Sequence, residues 1–453
     1  MCVDRAYLMG AMRGADSETT VMSESQHPGT AWDDIESQLT RRVLPLLFAG
    51  WLVAYIDRFN VGFAALQLRS DLKLSSTALG LGAGLFFIGY CAFEIPSNLI
   101  LARVGARTWL ARILIVWGFV SIGMSFMRGP SSFYLLRTLL GVAEAGFYPG
   151  MAFYLSQWLP SRGRTQFLAR LAAASQVAGV VGGPLAGILL SMNGTAGLAG
   201  WQWLFIIEGI PAVVLGLIFV WWLPDSPAHA AWLRDSDRNL IKATQEQDSL
   251  SGHSSSVLAS FKDKTLVVWA AVFFCFNAGL SALVVWLPQI IKNVSGSSSL
   301  VIGLYSAIPP LCAAIAMVAW GHHSKRVDER VNHVAIPLFV GGVGVAMLGL
   351  TRSLVPSLIA ASLGVCATAS QPPLFSIVSS VAAGRRRAAG IAFVNAIGGI
   401  GSFVGPYAFG FSLDRFGQTG IVFVVFGSVL AVGGALAAFS HRRETSSLHA
   451  YAS

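Results

Sequence analysis

An acid and a base stand side by side, Asp57 and Arg58, inside an otherwise apolar stretch running from Val43 to Leu66, with Tyr55 and Asn60 flanking them. A second ionisable pair, Arg137 and Glu144, lies inside another apolar stretch. A charge at membrane depth costs roughly 2.5–3.5 kcal/mol by insertion scales, so such residues are rare unless they line an ion or substrate path. Arginine offers a planar, permanently charged fork that grips a carboxylate at two points, which makes Arg58 the candidate partner for an anionic substrate. Carboxyls bind protons more tightly when buried and less tightly beside a cation, so small rearrangements can load or release a proton. Asp57 and Glu144 are the candidates for that role.

These residues need membrane-spanning elements to hold them. The chain is 54% hydrophobic and only 12% charged, with 48 glycines in 453 residues, and its mean hydropathy is +0.64. About 20 apolar residues cross the hydrocarbon core as a helix. Twelve stretches qualify, at about 43–66, 77–101, 108–127, 132–156, 167–191, 202–223, 266–291, 300–320, 333–351, 355–381, 388–412 and 419–439. The sequence therefore predicts an all-α polytopic membrane protein with two six-helix halves. Of its 31 lysines and arginines, two lie in the far tail (Arg5, Arg13), two within spans (Arg58, Arg137) and six in odd-numbered loops (Arg69, Lys73, Arg128, Lys292, Arg352, Arg415). The rest cluster before the first span, in even-numbered loops such as those with Arg162, Arg164, Lys325, Arg326, Arg385, Arg386 and Arg387, and after the last span. By the positive-inside rule both termini are cytoplasmic, in the inner membrane. The net charge of +9 then reflects topology and anionic lipid headgroups, not nucleic acid.

With that orientation the fourth span runs inward, placing Arg137 toward the outer face and Glu144 near the centre. Being seven apart, they share a helix face about 10 Å from end to end, with Gly141 opening space between them. Asp57 falls at a depth where it can meet Arg137. Neighbouring residues point about 100° apart on a helix, so Asp57 can face the fourth span while Arg58 faces the cavity. Asp57 and Glu144 against Arg58 and Arg137 sum to zero charge, so the empty, deprotonated cavity is neutral on these four residues. The blander readings are a structural lock for Arg137 with Gly141, helix-to-helix pairing for Asp57 and Arg58, and solvation for His322 and His323 in a loop.

Residues 1–40 carry seven acids against two arginines and lack a signal-peptide core, which predicts a disordered, uncleaved cytoplasmic tail with Met22 as an alternative start. The halves are expected at 41–224 and 265–441, joined by a polar cytoplasmic linker at 225–264, with a short tail at 442–453. Cys91, Cys275, Cys312 and Cys366 fall in spans at no metal-ligand spacing and read as packing residues. Gly179-Val-Val-Gly-Gly183-Pro184 through Gly187 in the fifth span matches Gly398 through Gly405-Pro406 and Gly410 in the eleventh. Small residues allow close helix contact and proline leaves a break, which is a structural reason for both motifs. Two matching halves are the architecture of a rocking transporter with its site at the midplane.

Three segments carry a resemblance: Tyr55-Ile-Asp57-Arg58-Phe-Asn60; Phe87-Ile-Gly-Tyr90-Cys-Ala-Phe-Glu94-Ile-Pro96-Ser-Asn98; and Arg137-Thr-Leu-Leu-Gly141-Val-Ala-Glu144-Ala-Gly146-Phe. Together with Gly200-Trp-Gln-Trp-Leu-Phe205 and Leu223-Pro-Asp-Ser-Pro227, they resemble the anion:cation symporter family of the major facilitator superfamily over Arg41 to His441. Members similar to this branch carry tartrate, phthalate, hydroxyphenylacetate, sugar acids or related carboxylates, usually with protons. The resemblance implies Arg58 as substrate ligand, Asp57 and Glu144 as proton carriers, Arg137 as switch partner of Asp57, and Tyr90 and Gln176 as substrate hydrogen-bond donors. Asn395 matches a family polar position, and Asn277 is chosen on depth alone. In the gating loops Ala102 precedes Arg103, with Gly105 and Arg107 following, and Ser324-Lys325-Arg326 has lysine where an acid is common; Glu94 or Asp328 are the substitutes.

The sequence thus points to a secondary active transporter taking up a small organic anion with protons by alternating access. It requires no cofactor, metal or nucleic acid, and works in lipid as a monomer. Exchange or export by the same fold is the alternative within transport, encouraged by the Gly-Pro motif of the fifth span. A transport-like sensor is the alternative of another class, against which the short linker argues. An enzyme finds no nucleophile and base constellation here.

Overall fold

A computed structural model describes residues 28–250, 263–327, 329–381, 387–417 and 420–452. The described residues form a helical bundle. Its first part comprises α1 (Pro28–Arg42), α2 (Leu44–Asp71), α3 (Ser76–Val104), α4 (Ala106–Gly123), α5 (Pro130–Glu144), α6 (Phe147–Ser156), α7 (Ser161–Ser191) and α8 (Gly200–Trp222). After α9 (Asp235–Leu250) come α10 (Lys264–Ser295), α11 (Ser299–Ser306), α12 (Ile308–Val327), α13 (Val331–Leu348), α14 (Leu354–Val365), α15 (Gln371–Val381), α16 (Arg387–Phe416) and α17 (Gly420–Ala452).

Eleven helical segments among the described residues are long and apolar enough to cross a membrane. The remaining expected span, the fourth, is present as α5 and α6, interrupted immediately after Glu144. Ala145 leaves the helical region at φ −55, ψ 132, and Gly146 takes φ +86, a left-handed conformation that glycine adopts without strain. Gly141, one turn earlier, lets α5 approach α3: a Cβ there would lie 2.0 Å from the Phe86 carbonyl oxygen. The glycines of the fifth and eleventh spans serve contact likewise. A Cβ on Gly183 would meet the Gly303 carbonyl oxygen at 2.6 Å, and one on Gly405 the Ala278 carbonyl oxygen at 2.1 Å.

The two halves meet along α3 against α16, α2 against α10, and α7 against α11 and α12. At the end of the bundle away from the basic loops, polar groups reinforce this contact. Asp414 at the end of α16 accepts hydrogen bonds from the backbone N–H groups of Ser76 (3.1 Å) and Thr77 (2.7 Å), and from the Thr77 hydroxyl (2.7 Å). Unpaired N–H groups at a helix start carry partial positive charge, so a carboxylate is favoured there. Lys292 at the end of α10 donates to the Leu66 carbonyl of α2 (3.2 Å).

One expectation needs correction. Residues 28–40, part of the stretch whose polarity predicts a disordered tail, lie in α1, where Ile35 and Leu39 are fully buried; one apolar face every turn suffices to dock an otherwise polar helix. Residues 1–27, with the alternative start at Met22, lie outside the described residues. The polar linker also carries structure: Trp232 stacks on Trp158 with centroids 5.5 Å apart, Leu233 and Ile241 are buried, and Arg234 bridges Asp34 of α1 and Asp237. Cys91, Cys275, Cys312 and Cys366 are free and half-buried within helices.

Candidate functional site

A cavity of about 240 Å³ lies between the halves at mid-bundle. Residues of α2, α3, α5 and α7 form one wall, and α10, α11, α12, α14, α15 and α16 contribute the other. Arg58, Arg137, Gln176 and Asn277, all expected at the site, line it, and so does Tyr55, which flanks Arg58 in the sequence. The cations come only from the first-half wall; the second-half wall is apolar with scattered polar groups such as Ser306, Thr368, Gln371 and Ser402.

Arg58 reaches this cavity from α2 with its side chain 17% exposed, and its Nη2 is bonded to Oε1 of the fully buried Glu144. Its guanidinium stands among four rings, with Cζ 5.3 Å from the centroid of Trp51, 5.2 Å from Tyr55, 5.6 Å from Phe86 and 5.2 Å from Tyr90. Ring faces attract a cation while adding no competing negative charge, an arrangement that holds a guanidinium in a dry site. Arg58 Nε and Glu144 Oε2 have no hydrogen-bond partner among the described residues. The pair is therefore incompletely satisfied, with one donor and one acceptor idle.

Asp57 faces the other way, as adjacent helix positions require. Its carboxylate accepts from Ser121 Oγ (2.6 Å) and Trp117 Nε1 (3.2 Å) of α4, and from Asn60 Nδ2 (3.0 Å) one turn along α2. The expected direct partnership with Arg137 is absent: Arg137 lies near enough for attraction, but its Nε points at the Gly82 carbonyl (3.4 Å) and its Nη1 is without a partner among the described residues. Three neutral donors hold the Asp57 carboxylate in its place, two on Oδ1 and one on Oδ2. Arg137 instead sits over the Phe86 ring, 5.0 Å from its centroid.

The other expected residues divide. Tyr90 contributes its ring to Arg58 and is not among the cavity-lining residues. Asn277 lines the cavity, but its amide donates to the Phe273 carbonyl (2.9 Å) and accepts from Ser402 (3.3 Å). Asn395 is exposed and away from the cavity; α16 presents Ser402 there instead. The neutral count of four buried charges also omitted Glu208 of α8, which is only 4% exposed and sits beside Asn60 and Asp57. Gln371, a cavity-lining amide of the second half, was likewise missed.

At the basic end, the helix of the eighth span runs on to Val327, so His322 and His323 are helical and not in a loop. His323 Nδ1 meets His333 Nε2 at 2.8 Å, and His333 Nδ1 meets Glu329 Oε2 at 2.8 Å. Glu329 is held below the ordinary glutamate range: partial burial pushes its proton affinity up, but the Asn332 N–H and the His333 ring outweigh it. Asp328, one proposed latch, lies outside the described residues; Glu94 of α3 faces Arg58 at long range.

The sequence profile of the Major Facilitator Superfamily matches residues 47–406, and the chain belongs to that superfamily. It is 43% identical over 410 residues, 89% of this chain and 91% of the relative, to an Agrobacterium vitis protein named "Putative tartrate transporter". It is also 39% identical over 383 residues, 83% of this chain and 88% of the relative, to a "Quinolone resistance transporter" of Acinetobacter baumannii. Among solved structures it is similar to a bacterial homologue of the human lysosomal transporter Spinster in an inward-facing, occupied conformation. There the TM-score is 0.72 at 18% identity, covering 88% of this chain and 96% of that one. The fold is that of a major facilitator transporter, and the protein is a multi-pass membrane transporter.

Proposed function

We propose that the protein is a proton-coupled carrier of a small organic anion, moving it inward across the cytoplasmic membrane by alternating access, with both termini in the cytoplasm. The observation that carries this reading is the contact of Arg58 with Glu144 at the cavity wall. Arg58 is the cation best placed for a substrate carboxylate, and Glu144 occupies it. A proton on Glu144 removes the charge that competes for the fork; the substrate carboxylate then takes Arg58, and release of the substrate lets Arg58 draw Glu144 back into its ionised form. Proton and anion thus load together because they share one arginine. A ligand can shift such an equilibrium only through its different affinity for the two states, which this competition supplies.

Arg137, lining the same cavity with an idle Nη1, is a second cation for a second carboxylate. The name borne by the Agrobacterium relative makes a hydroxy-dicarboxylate the first substrate to try. Gln176, Gln371 and Asn277 offer amides for hydroxyl groups. Uptake of labelled tartrate and of aromatic monocarboxylates into membrane vesicles, with and without an inward pH gradient, tests the proposal. Accumulation of none of them under a gradient refutes it. A second reading, export or exchange, is favoured by the likeness to the quinolone resistance transporter, and efflux from loaded vesicles separates it from uptake.

A further inference from the structure

Charge patterning groups Arg112 with the basic loop before α4, yet it stands inside that membrane-crossing helix, about 9 Å beyond its start at Ala106. It shares a helix face with Thr108, Val116 and Phe119, which lie four residues before it and four and seven after. All three are exposed, Phe119 to 60%. Other faces of α4 pack inward, Ala111 and Ile115 beside Gly216 of α8 and Trp117 against Phe147 of α6. Arg112 is therefore an arginine on the lipid side of a spanning helix, where a charge is costly unless it reaches the headgroups. Its guanidinium lies over the Trp109 ring, with Cζ 4.6 Å from the centroid, and no hydrogen bond or ion pair to it accompanies this contact among the described residues.

The side chain is aimed at the membrane surface. The Cα–Cβ bond of a helical residue leans toward the helix N-terminus, which for α4 is the end with the basic loop, and a long stem lets the charged head climb that way. The neighbouring helix marks the level it approaches. A Cβ on Gly216 would stand 2.9 Å from the Ala111 carbonyl oxygen and 3.1 Å from the Ile115 nitrogen, so Gly216 is level with Arg112. Trp221 and Trp222, about 8–9 Å further toward the same end, are 75% and 73% exposed, as tryptophans at a membrane–water interface are. Trp109 is fixed from behind: its Nε1 donates to Ser97 Oγ of α3 (2.9 Å), and that buried hydroxyl donates to the Ala145 carbonyl (2.7 Å) at the break after Glu144. The fork thus rests on an anchored ring, and such a fork binds phosphate oxygens two at a time. Nearby charge selects the ligand. Arg103 and Arg107 flank the turn at Gly105 that leads into α4, and the acid beside that turn, Asp225, accepts from the Arg107 backbone N–H (3.3 Å). Three arginines against one acid favour an anion. We propose that Arg112, held on Trp109, is a binding site for the phosphate of an acidic phospholipid, of the phosphatidylglycerol kind, in the leaflet on the side of the basic loops.

This site depends on neither the substrate nor proton coupling, and lipid binding measures it directly. Native mass spectrometry of the purified full-length protein, titrated with dioleoylphosphatidylglycerol and separately with dioleoylphosphatidylcholine, counts the lipids retained. The wild type is expected to hold one phosphatidylglycerol ahead of the rest. Arg112→Gln is expected to bind that first lipid about fivefold more weakly, with phosphatidylcholine binding the same in both proteins. Arg326→Gln removes one charge at the basic end of the other half and is expected to bind like the wild type; an equal loss there would assign the effect to net charge and overturn the site. Should Arg112→Gln fail to insert, Arg112→Lys keeps the charge and the stem without the fork and is expected to weaken the first lipid in the same direction. Wild-type affinity in Arg112→Gln or in Arg112→Lys refutes the proposal, as does a first site that takes phosphatidylcholine as tightly as phosphatidylglycerol. Inorganic phosphate in excess is expected to leave the lipid in place; displacement by it would give the arginine to a soluble anion instead.

Discussion

Arg58 and Glu144, 86 residues apart in sequence, meet at the wall of the central cavity, and the arginine of this pair is surrounded by aromatic rings while the glutamate has no exposure at all. The pair is both a structural tie between α2 and α5 and the obstacle to an anion at Arg58. Breaking one member of a buried pair leaves the other uncompensated, at a cost of about 3–5 kcal/mol. Replacing the acid with its neutral isostere is milder, because glutamine still accepts from the fork. Glu144→Gln is expected to bind and exchange substrate yet lose gradient-driven accumulation by about tenfold or more. Arg58→Lys, which keeps charge but loses the fork and its ring contacts, is expected to lose binding to a similar degree. Both are checked in vesicles with labelled substrate, and accumulation by Glu144→Gln at the wild-type level refutes its coupling role.

Gly141 predicts a packing penalty that has nothing to do with charge. Alanine there sets its Cβ 2.0 Å from the Phe86 carbonyl, a contact that only backbone movement relieves. Overpacking of this kind costs about 1–3 kcal/mol. Thermal unfolding in detergent should show Gly141→Ala lowered, whereas Gly123→Ala, which meets nothing within 4 Å, should match the wild type.

The cavity lining makes a contrast between two amides. Gln371 faces the cavity and Asn395 is exposed on α16. Gln371→Ala is expected to weaken substrate affinity several-fold, and Asn395→Ala to leave it unchanged. Competition binding on the purified variants decides the matter, and the reverse order would return Asn395 to the site.

How these residues sort by legibility has a physical basis. Charges inside apolar segments stand out because insertion is costly, so Asp57, Arg58, Arg137 and Glu144 were readable. The same rule marks Glu208 within Phe205-Ile-Ile-Glu208-Gly-Ile-Pro211. Which acid Arg58 holds was not readable, because it depends on how α2 and α5 cross, and apolar residues on nearly all faces erase the period that would reveal rotation. Asn395 fails for another reason: seven residues before the cavity-lining Ser402, it shares that residue's face of α16 but lies about 10 Å away along the axis, so its face is right and its depth is wrong. The His323, His333 and Glu329 contacts depend on a tight connection between α12 and α13, which residue spacing alone does not disclose.

Glu329 gives a dependence on pH at the basic end of the second half. Its proton affinity is held below the ordinary glutamate range in the folded protein, so the ionised form stabilises this connection at any pH above that range. The contribution is lost as pH falls through the lowered folded value. Hydrogen exchange at the facing ends of α12 and α13 should show protection that persists at neutral pH and fades on acidification. Glu329→Gln should lack that acid-dependent step. An identical pH response in the two proteins would remove Glu329 as its source.

Asp414 closes the opposite end. Its carboxylate takes the first two N–H groups of α3 and the Thr77 hydroxyl, tying the end of one half to the start of a helix in the other. A charge at a helix N-terminus contributes about 0.3–1 kcal/mol when exposed and up to about 2 when partly buried, and a capping side chain about 1 kcal/mol more. Bistable carriers differ by a few kcal/mol between conformations, so loss of this tie is enough to move the population. Asp414→Ala is expected to shift the protein toward the conformation open at this end, with Asp414→Asn intermediate because the amide can still accept through its oxygen. Spin labels on the exposed Arg128 and Arg352, in loops of the two halves at the same end, report the separation directly. The expected outcome is a distance distribution with a longer component in Asp414→Ala, weaker in Asp414→Asn and weakest in the wild type. A Thr77→Val variant removes the hydroxyl contact alone and should show a smaller shift than Asp414→Ala. Unchanged distances in Asp414→Ala, with substrate exchange also unchanged, would mean that the helix packing of α3 on α16 closes this end without the carboxylate.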